Sequence, residues 1–357
     1  MLTFAFTVFL LLVSAFAQSP RILIYSATRG FRHDSIPTAI EALQIASNTI
    51  NVRFDNTEDQ TLFNDQNLAR YDAILFLSTT GEVLDDAGKT SFQKYLNSGG
   101  NFIGVHSASD TLVNTTFYER ELGAHFDYHA DLQEATIDVV GPSHPSTNKL
   151  PRRWQTRDEW YNFKSNPRDL GAVVILSVDE STYSGRSLFG LCVIIWTLEI
   201  FRIQTLGLAG SIKATHTQRV NKYRMYLTRC HVLYFVAWYQ DRGAGTSSGG
   251  VSGRSFYTSL GHLNETWRDE TFMGHVLGGI GWALQANTTK AFNSSALVGS
   301  DESSLTPTES QSGISGTSDT TGTHTPSPTS NNATVPIVYS ALLTVILSTL
   351  AVALHLL

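Results

Sequence analysis

Two histidine–carboxylate groupings stand where apolar runs of this chain end. His33 and Asp34 follow the run 21–28, and His106 and Asp110 follow the run 101–105. An imidazole facing a carboxylate can move a proton near neutral pH. The same pair can hold a divalent cation if both point inward. The spacing is not that of a compact ligand motif, so these residues act together only if the fold gathers them. His33, Asp34, His106 and Asp110 are therefore the candidate catalytic residues, and a divalent metal is a possible cofactor. Asp34 has a simpler alternative use, capping the helix expected near Pro37. For either histidine the simpler reading is an imidazole hydrogen-bonded at a sheet edge.

The elements that must position them are legible as pattern. The runs 21–28, 73–78 and 101–105 are mainly apolar, without polar alternation in their centres, as strands buried on both faces are. A weaker run at 51–55 has the same polar ending. Amphipathic helices are predicted over 36–47, with Pro37 in the first turn, and over 86–97, closed by Gly99 and Gly100. Such alternation implies a mainly parallel sheet with right-handed crossovers, an α/β three-layer sandwich. Shorter strand-like runs follow at 135–140, 172–178, 235–240 and 255–260, and a last helix at 270–284. Ligands of open α/β sheets sit beyond the carboxyl ends of the strands. Thr79 and Thr80, closing the run 73–78, thus become candidate substrate contacts.

Further groups belong to the same edge. Asp158, Glu159, Trp160 and Tyr161 set acids beside aromatics, a combination suited to sugars, which offer apolar C–H faces and hydroxyls together. Two carboxylates at suitable separation can also serve glycoside hydrolysis. Glu159, Trp160, Tyr161 and His262 are the remaining candidate substrate-binding residues. The plain alternative is a core tryptophan at a polar strand end. His125 and His129 share a face in helix or strand and read as surface histidines. His144, before Pro145, reads as a turn residue.

Residues 1–17 are apolar and end in Ser14-Ala15-Phe16-Ala17, which predicts a secretory signal cleaved after Ala17. Residues 293–334, rich in Ser, Thr, Gly and Pro, predict a disordered linker. Residues 335–357 are apolar to the last residue with no Lys or Arg after them. This favours a glycolipid (GPI) anchor signal over a membrane span. N-glycosylation sequons at Asn114, Asn264, Asn287, Asn293 and Asn332 fit that compartment. The expected protein is thus a secreted glycoprotein held at the cell surface, its tail the contact with the membrane. A net charge of −6 argues against nucleic acid as partner.

Residues 186–234 break the pattern. They carry seven basic residues (Arg186, Arg202, Lys213, Arg219, Lys222, Arg224 and Arg229) against one acid, Glu199, together with both cysteines of the chain, Cys192 and Cys230. Translated intron or a faulty gene model accounts for this segment better than a surface insertion, which a Cys192–Cys230 disulfide would clip.

Six blocks, in order, carry a resemblance. They are Tyr25-Ser26-Ala27-Thr28 with Gly30-Phe31-Arg32-His33-Asp34-Ser35-Ile36-Pro37; Phe76-Leu77-Ser78-Thr79-Thr80-Gly81-Glu82-Val83-Leu84; Gly104-Val105-His106-Ser107-Ala108-Ser109-Asp110-Thr111; Asp158-Glu159-Trp160-Tyr161-Asn162-Phe163; Asp179-Glu180-Ser181-Thr182-Tyr183; and Gly253-Arg254-Ser255-Phe256-Tyr257-Thr258-Ser259-Leu260-Gly261-His262. Together they resemble the ThuA-like, or trehalose-utilisation-type, family over residues 20–286. The resemblance implies a flavodoxin-like, class I glutamine amidotransferase-like fold and a link to carbohydrate use. It also implies an Asp-His-Pro block ahead of Ala237-Trp238, which is missing here next to the aberrant segment. Amidotransferases of this fold use a cysteine where this chain has His106 and Ser107, and no cysteine lies in the matching regions. Glutamine amide transfer is therefore excluded. Two functions remain: an enzyme acting on a carbohydrate or its oxidised derivative, and a non-catalytic carbohydrate-binding surface protein.

Overall fold

Strand β1 (Arg21–Tyr25) sends alternate side chains to opposite faces, and both faces are covered. Ile22 and Ile24 pack with Ala39 and Leu43 of helix α1 (Ile36–Ile50). Leu23 and Tyr25 pack on the other face with Phe92 and Leu96 of helix α3 (Asp86–Asn97). Strands β3 (Ala73–Leu77) and β4 (Asn101–Val105) divide their residues in the same way. This is the period-two pattern of a sheet buried on both sides, and it makes the three-layer sandwich.

The structure, a computed structural model, describes residues 19–184 and 234–299. The other elements are β2 (Arg53–Thr57), α2 (Asp65–Leu68), α4 (Thr116–Leu122), β5 (Phe126–His129), β6 (Gln133–Val139), β7 (Arg153–Asp158), β8 (Tyr161–Phe163), β9 (Val173–Val178), β10 (Phe235–Gln240), β11 (Ser255–Thr258) and α5 (Glu270–Leu284). Nine strands form one sheet in the order β2-β1-β3-β4-β11-β10-β9-β6-β7, and β5 and β8 form a separate pair. The pairings from β2 to β11 are parallel. Those from β11 to β7 are antiparallel. The predicted parallel sheet is therefore the half that begins at β2, and a meander-like half extends it. Helix α5 lies with α1, where Phe272, Val276 and Ile280 join the core, while α4 lies with α3 through Tyr118 and Leu122.

Phe76, on β3, is fully buried and meets the rings of Tyr25, Phe63, Phe92, Phe102 and Tyr118. Phe76→Ala would leave a cavity among rigid rings that cannot collapse into it. We expect a loss of about 3–5 kcal/mol of stability, read as a shifted urea midpoint with unchanged slope. A loss under about 1 kcal/mol would mean that this layer is not close-packed.

Helix α3 ends where Gly99 takes φ +95°, a left-handed value that a side chain resists. The domain continues beyond α5: Val298 is buried and the Gly299 amide donates to the Ala69 carbonyl. Around the aberrant segment, the Val178 amide donates to the Tyr234 carbonyl, and the rings of Tyr183 and Tyr234 lie 6.4 Å apart. The chain therefore leaves and re-enters the domain at neighbouring points, and a short connection would join β9 to its antiparallel neighbour β10. The predicted signal, the aberrant segment (all but Tyr234), the linker beyond residue 299, the C-terminal tail and Asn332 fall outside the described residues. Among the described residues no helix is long and apolar enough to cross a membrane.

Candidate functional site

His106 is the first residue beyond β4, and its φ of +56° is left-handed. For a residue other than glycine that conformation costs on the order of 1–3 kcal/mol and persists only where the surroundings enforce it. Here it turns a fully buried imidazole across the strand ends. Nδ1 of His106 lies 2.7 Å from the Ser259 carbonyl oxygen, which can only accept. Nδ1 therefore carries the proton, and in the neutral ring Nε2 presents its lone pair. That Nε2 lies 2.9 Å from Nε2 of His33 and 3.1 Å from the Tyr161 hydroxyl.

Each partner comes from a different strand end. His33 sits in the loop between β1 and α1, Glu159 between β7 and β8, and His262 just past β11. Glu159 Oε2 lies 3.7 Å from His106 Nε2 and 3.2 Å from His262 Nδ1, while Oε1 lies 3.6 Å from His129 Nε2. Asp158, wholly buried, ties two of these segments together. Its Oδ1 accepts from the Glu159 amide at 2.8 Å and its Oδ2 from the Gly261 amide at 2.9 Å. One donor atom each from His33, His106, Glu159 and His262 lies within 4.8 Å of all the others.

Burial runs in a gradient. His106 is fully covered, whereas the side chains of Glu159 and His262 keep 13% and 20% of their exposure, so the cluster opens on their side. Burial, together with the neighbouring His262, pushes the His33 imidazole down to about 4. Burial also holds His106 well below the ordinary histidine range, with His33 adding to it. Both are neutral at pH 7. Burial pushes the Glu159 carboxyl up, but His262, His106 and His129 outweigh it and hold it at about 2. The same carboxylate raises His262. Asp158 is raised to about 7 by burial, with the two amides it binds offsetting part of that. The centre is thus one fixed anion among three imidazoles, two of them neutral.

The other candidates are placed as follows. Asp34 is exposed and outside the donor set, and the N-cap position of the helix is Ser35, whose side chain makes no capping hydrogen bond. Asp110 is half-buried, with Lys164 and His125 as its titratable neighbours. Thr79 is buried and shares a 2.8 Å hydrogen bond with Thr111. Thr80 Oγ1 accepts from the Gly30 amide and donates to the Phe31 carbonyl, which pins the loop carrying His33. The Trp160 ring is buried, its Nε1 donating to the Gln133 carbonyl, so it offers no open stacking face. Tyr161 and His262 stand in the cluster itself. His125 is buried against the Ser109 carbonyl. His144 does close a turn, but a buried one, stacked on Tyr239 and Phe256. Asn114 and Asn287 are exposed, and Asn264 and Asn293 are half-buried.

Two neighbours escaped the sequence reading. Asp158 was legible only as part of an acidic pair, because its bond to Gly261 spans 103 positions. Phe31 is 66% exposed with its ring 4.8 Å from that of His33. An exposed aromatic beside a chemical centre is a signal, but exposure is invisible in a single sequence.

The model of the ThuA family, described as trehalose utilisation, matches residues 21–283. The chain belongs to the ThuA family. The match spans β1 to α5 and includes all four clustered residues. A ThuA-like protein from Bacteroides uniformis ATCC 8492 superposes with a TM-score of 0.54 at 19% identity, covering 78% of this chain and 97% of that one. A ThuA-like protein from Parabacteroides merdae ATCC 43184 gives 0.50 at 15% identity, covering 74% and 90%. These likenesses establish the fold of the ThuA domain and nothing finer. No curated protein matches the chain.

Proposed function

We propose that this ThuA domain is an enzyme acting on a carbohydrate or an oxidised derivative of one, outside the cell. The observation that carries this reading is Glu159. It is a carboxylate held ionised among His106, His129 and His262 at the open side of a strand-end cluster. A charged carboxylate beside a histidine whose pKa it raises sets a proton acceptor next to a proton donor, which proton transfer at a hydroxyl or carbonyl carbon needs. The family's link to trehalose utilisation supports the substrate class.

Phe31 serves as the sugar platform. Its exposed ring beside His33 can stack on the apolar C–H face of a pyranose, the role that the buried Trp160 is placed too deep to play. The N-terminal signal, the sequons and the apolar tail support a glycosylated protein at the cell surface, with a lipid anchor as its membrane contact.

The full chain, incubated with a panel of disaccharides, monosaccharides and their oxidised derivatives, should convert at least one, followed by NMR. Phe31→Ala should then raise KM about tenfold with kcat nearly unchanged, because stacking acts on substrate and transition state alike. Binding of a sugar with no conversion of any panel member would make the domain a non-catalytic binding module.

A further inference from the structure

We propose that His33, His106, His262 and Glu159 form a four-ligand binding site for one divalent transition-metal ion, with Glu159 as a one-oxygen ligand. This deepens the enzymatic reading above by giving the same cluster its cofactor class.

The cluster is short of lone pairs. His106 Nε2 has one, since its Nδ1 proton is committed to the Ser259 carbonyl. Two groups crowd onto it, the Tyr161 hydroxyl at 3.1 Å and His33 Nε2 at 2.9 Å. A single sp² lone pair accepts only one of them well. A cation between the two Nε2 atoms lets both rings present a lone pair to it, in place of one ring having to donate to the other. The His33 Nδ1 proton is left facing Ser107 Oγ at 3.4 Å. A ligand histidine whose other nitrogen donates to a carbonyl or hydroxyl is the usual outer-shell arrangement of a metal site.

Nδ1 of His262 is buried and lies 3.2 Å from Glu159 Oε2, yet it makes no aligned hydrogen bond. A ring nitrogen so placed, with no well-aligned hydrogen bond, can present its lone pair to a cation held by the same carboxylate oxygen.

Ligands 2.0–2.1 Å from a tetrahedral ion stand roughly 3.3 Å from one another. The separations 2.9, 3.2 and 3.7 Å bracket that value. Oε2 of Glu159 is the oxygen nearest both His106 and His262, whereas Oε1 faces His129. The carboxylate therefore binds through Oε2, and Oε1 is left facing His129 Nε2 at 3.6 Å. Asp158 fixes both the Glu159 and the Gly261–His262 backbone, so it acts as a positioning residue. Three imidazoles and one carboxylate select Zn²⁺, Fe²⁺, Mn²⁺, Co²⁺ or Ni²⁺ over Mg²⁺ and Ca²⁺, which prefer all-oxygen sites.

The test is elemental analysis of the full chain as purified, and again after chelation and reloading with Zn²⁺ followed by gel filtration. About one metal per chain is expected. His106→Ala and Glu159→Gln should reduce retained metal at least tenfold. Glu58→Gln, which alters a carboxylate past the end of β2 but outside the cluster, should retain the wild-type amount. If His106→Ala does not fold, Co²⁺-loaded wild type decides: X-ray absorption should count about three imidazole ligands. Fewer than one Zn²⁺ per ten wild-type chains after reloading, or retention by both variants equal to wild type, overturns the site. The sugar panel fails or succeeds separately. A loaded protein that converts nothing sinks the enzymatic reading alone, and a converting protein that holds no metal sinks the metal alone.

Discussion

Glu159→Gln is expected to lower turnover of any carbohydrate substrate by about 10²–10⁴-fold, the usual range when a positioned acid–base group is removed. The substitution keeps size and shape but removes the carboxylate charge that faces His106, His129 and His262. The effect should fall on kcat, because the charge acts on proton positions more than on the resting sugar. It contrasts with Phe31→Ala, where the loss should fall on KM. The fold should survive, since Asp158 binds the backbone amide of residue 159 and not its side chain. Circular dichroism and the melting temperature should therefore stay close to wild type. A variant that keeps more than a tenth of wild-type turnover would remove Glu159 from the chemistry and leave the cluster a structural network.

The fold was legible because it rests on local pattern. Mainly apolar runs marked β1, β3 and β4, and the helical period marked α1, α3 and α5, each within a few residues of its observed bounds. β7 and β8 were not marked as strands. The burial of β7 alternates weakly along Arg153–Asp158, and β8 is only three residues long. The antiparallel direction of the second half was also out of reach, because register across distant strands leaves no local trace. At the site, the polar residues past strand ends pointed to the right edge, and His33, His106, Glu159, Tyr161 and His262 do meet there. Adjacency in sequence misled over Asp34, since neighbouring residues in a loop face different ways. The depth of Trp160 depends on Gln133, 27 positions away, which no motif records.

Outside the site, Glu121 on α4 should control alkaline stability. Its carboxyl is 1% exposed, and Oε2 accepts a single hydrogen bond, from the Gly245 amide at 3.0 Å. Burial pushes the group up to about 8 from an ordinary value of 4.5, and the Gly245 amide offsets only part of that. Because the folded value is the higher, the folded state holds this proton more tightly than the unfolded chain. The resulting stability is fully present below pH 4.5 and is lost as pH rises through 8. The ceiling of that loss is about 5 kcal/mol at roughly 1.4 kcal/mol per pH unit. Water penetration and relaxation bring a realistic figure nearer 2–3 kcal/mol, still a large share of the total stability of about 5–15 kcal/mol. Glu121→Gln keeps an oxygen for the Gly245 amide and has no proton to lose. Asp72 and Asp158, also raised by burial, titrate in both proteins, so the difference between the two isolates Glu121. Urea midpoints at pH 5, 7 and 9 should show the variant near wild type at pH 5 and clearly more stable at pH 9. Parallel pH profiles would mean that the Glu121 carboxyl finds a charge partner or water on ionising, and that its burial costs the fold nothing above pH 8.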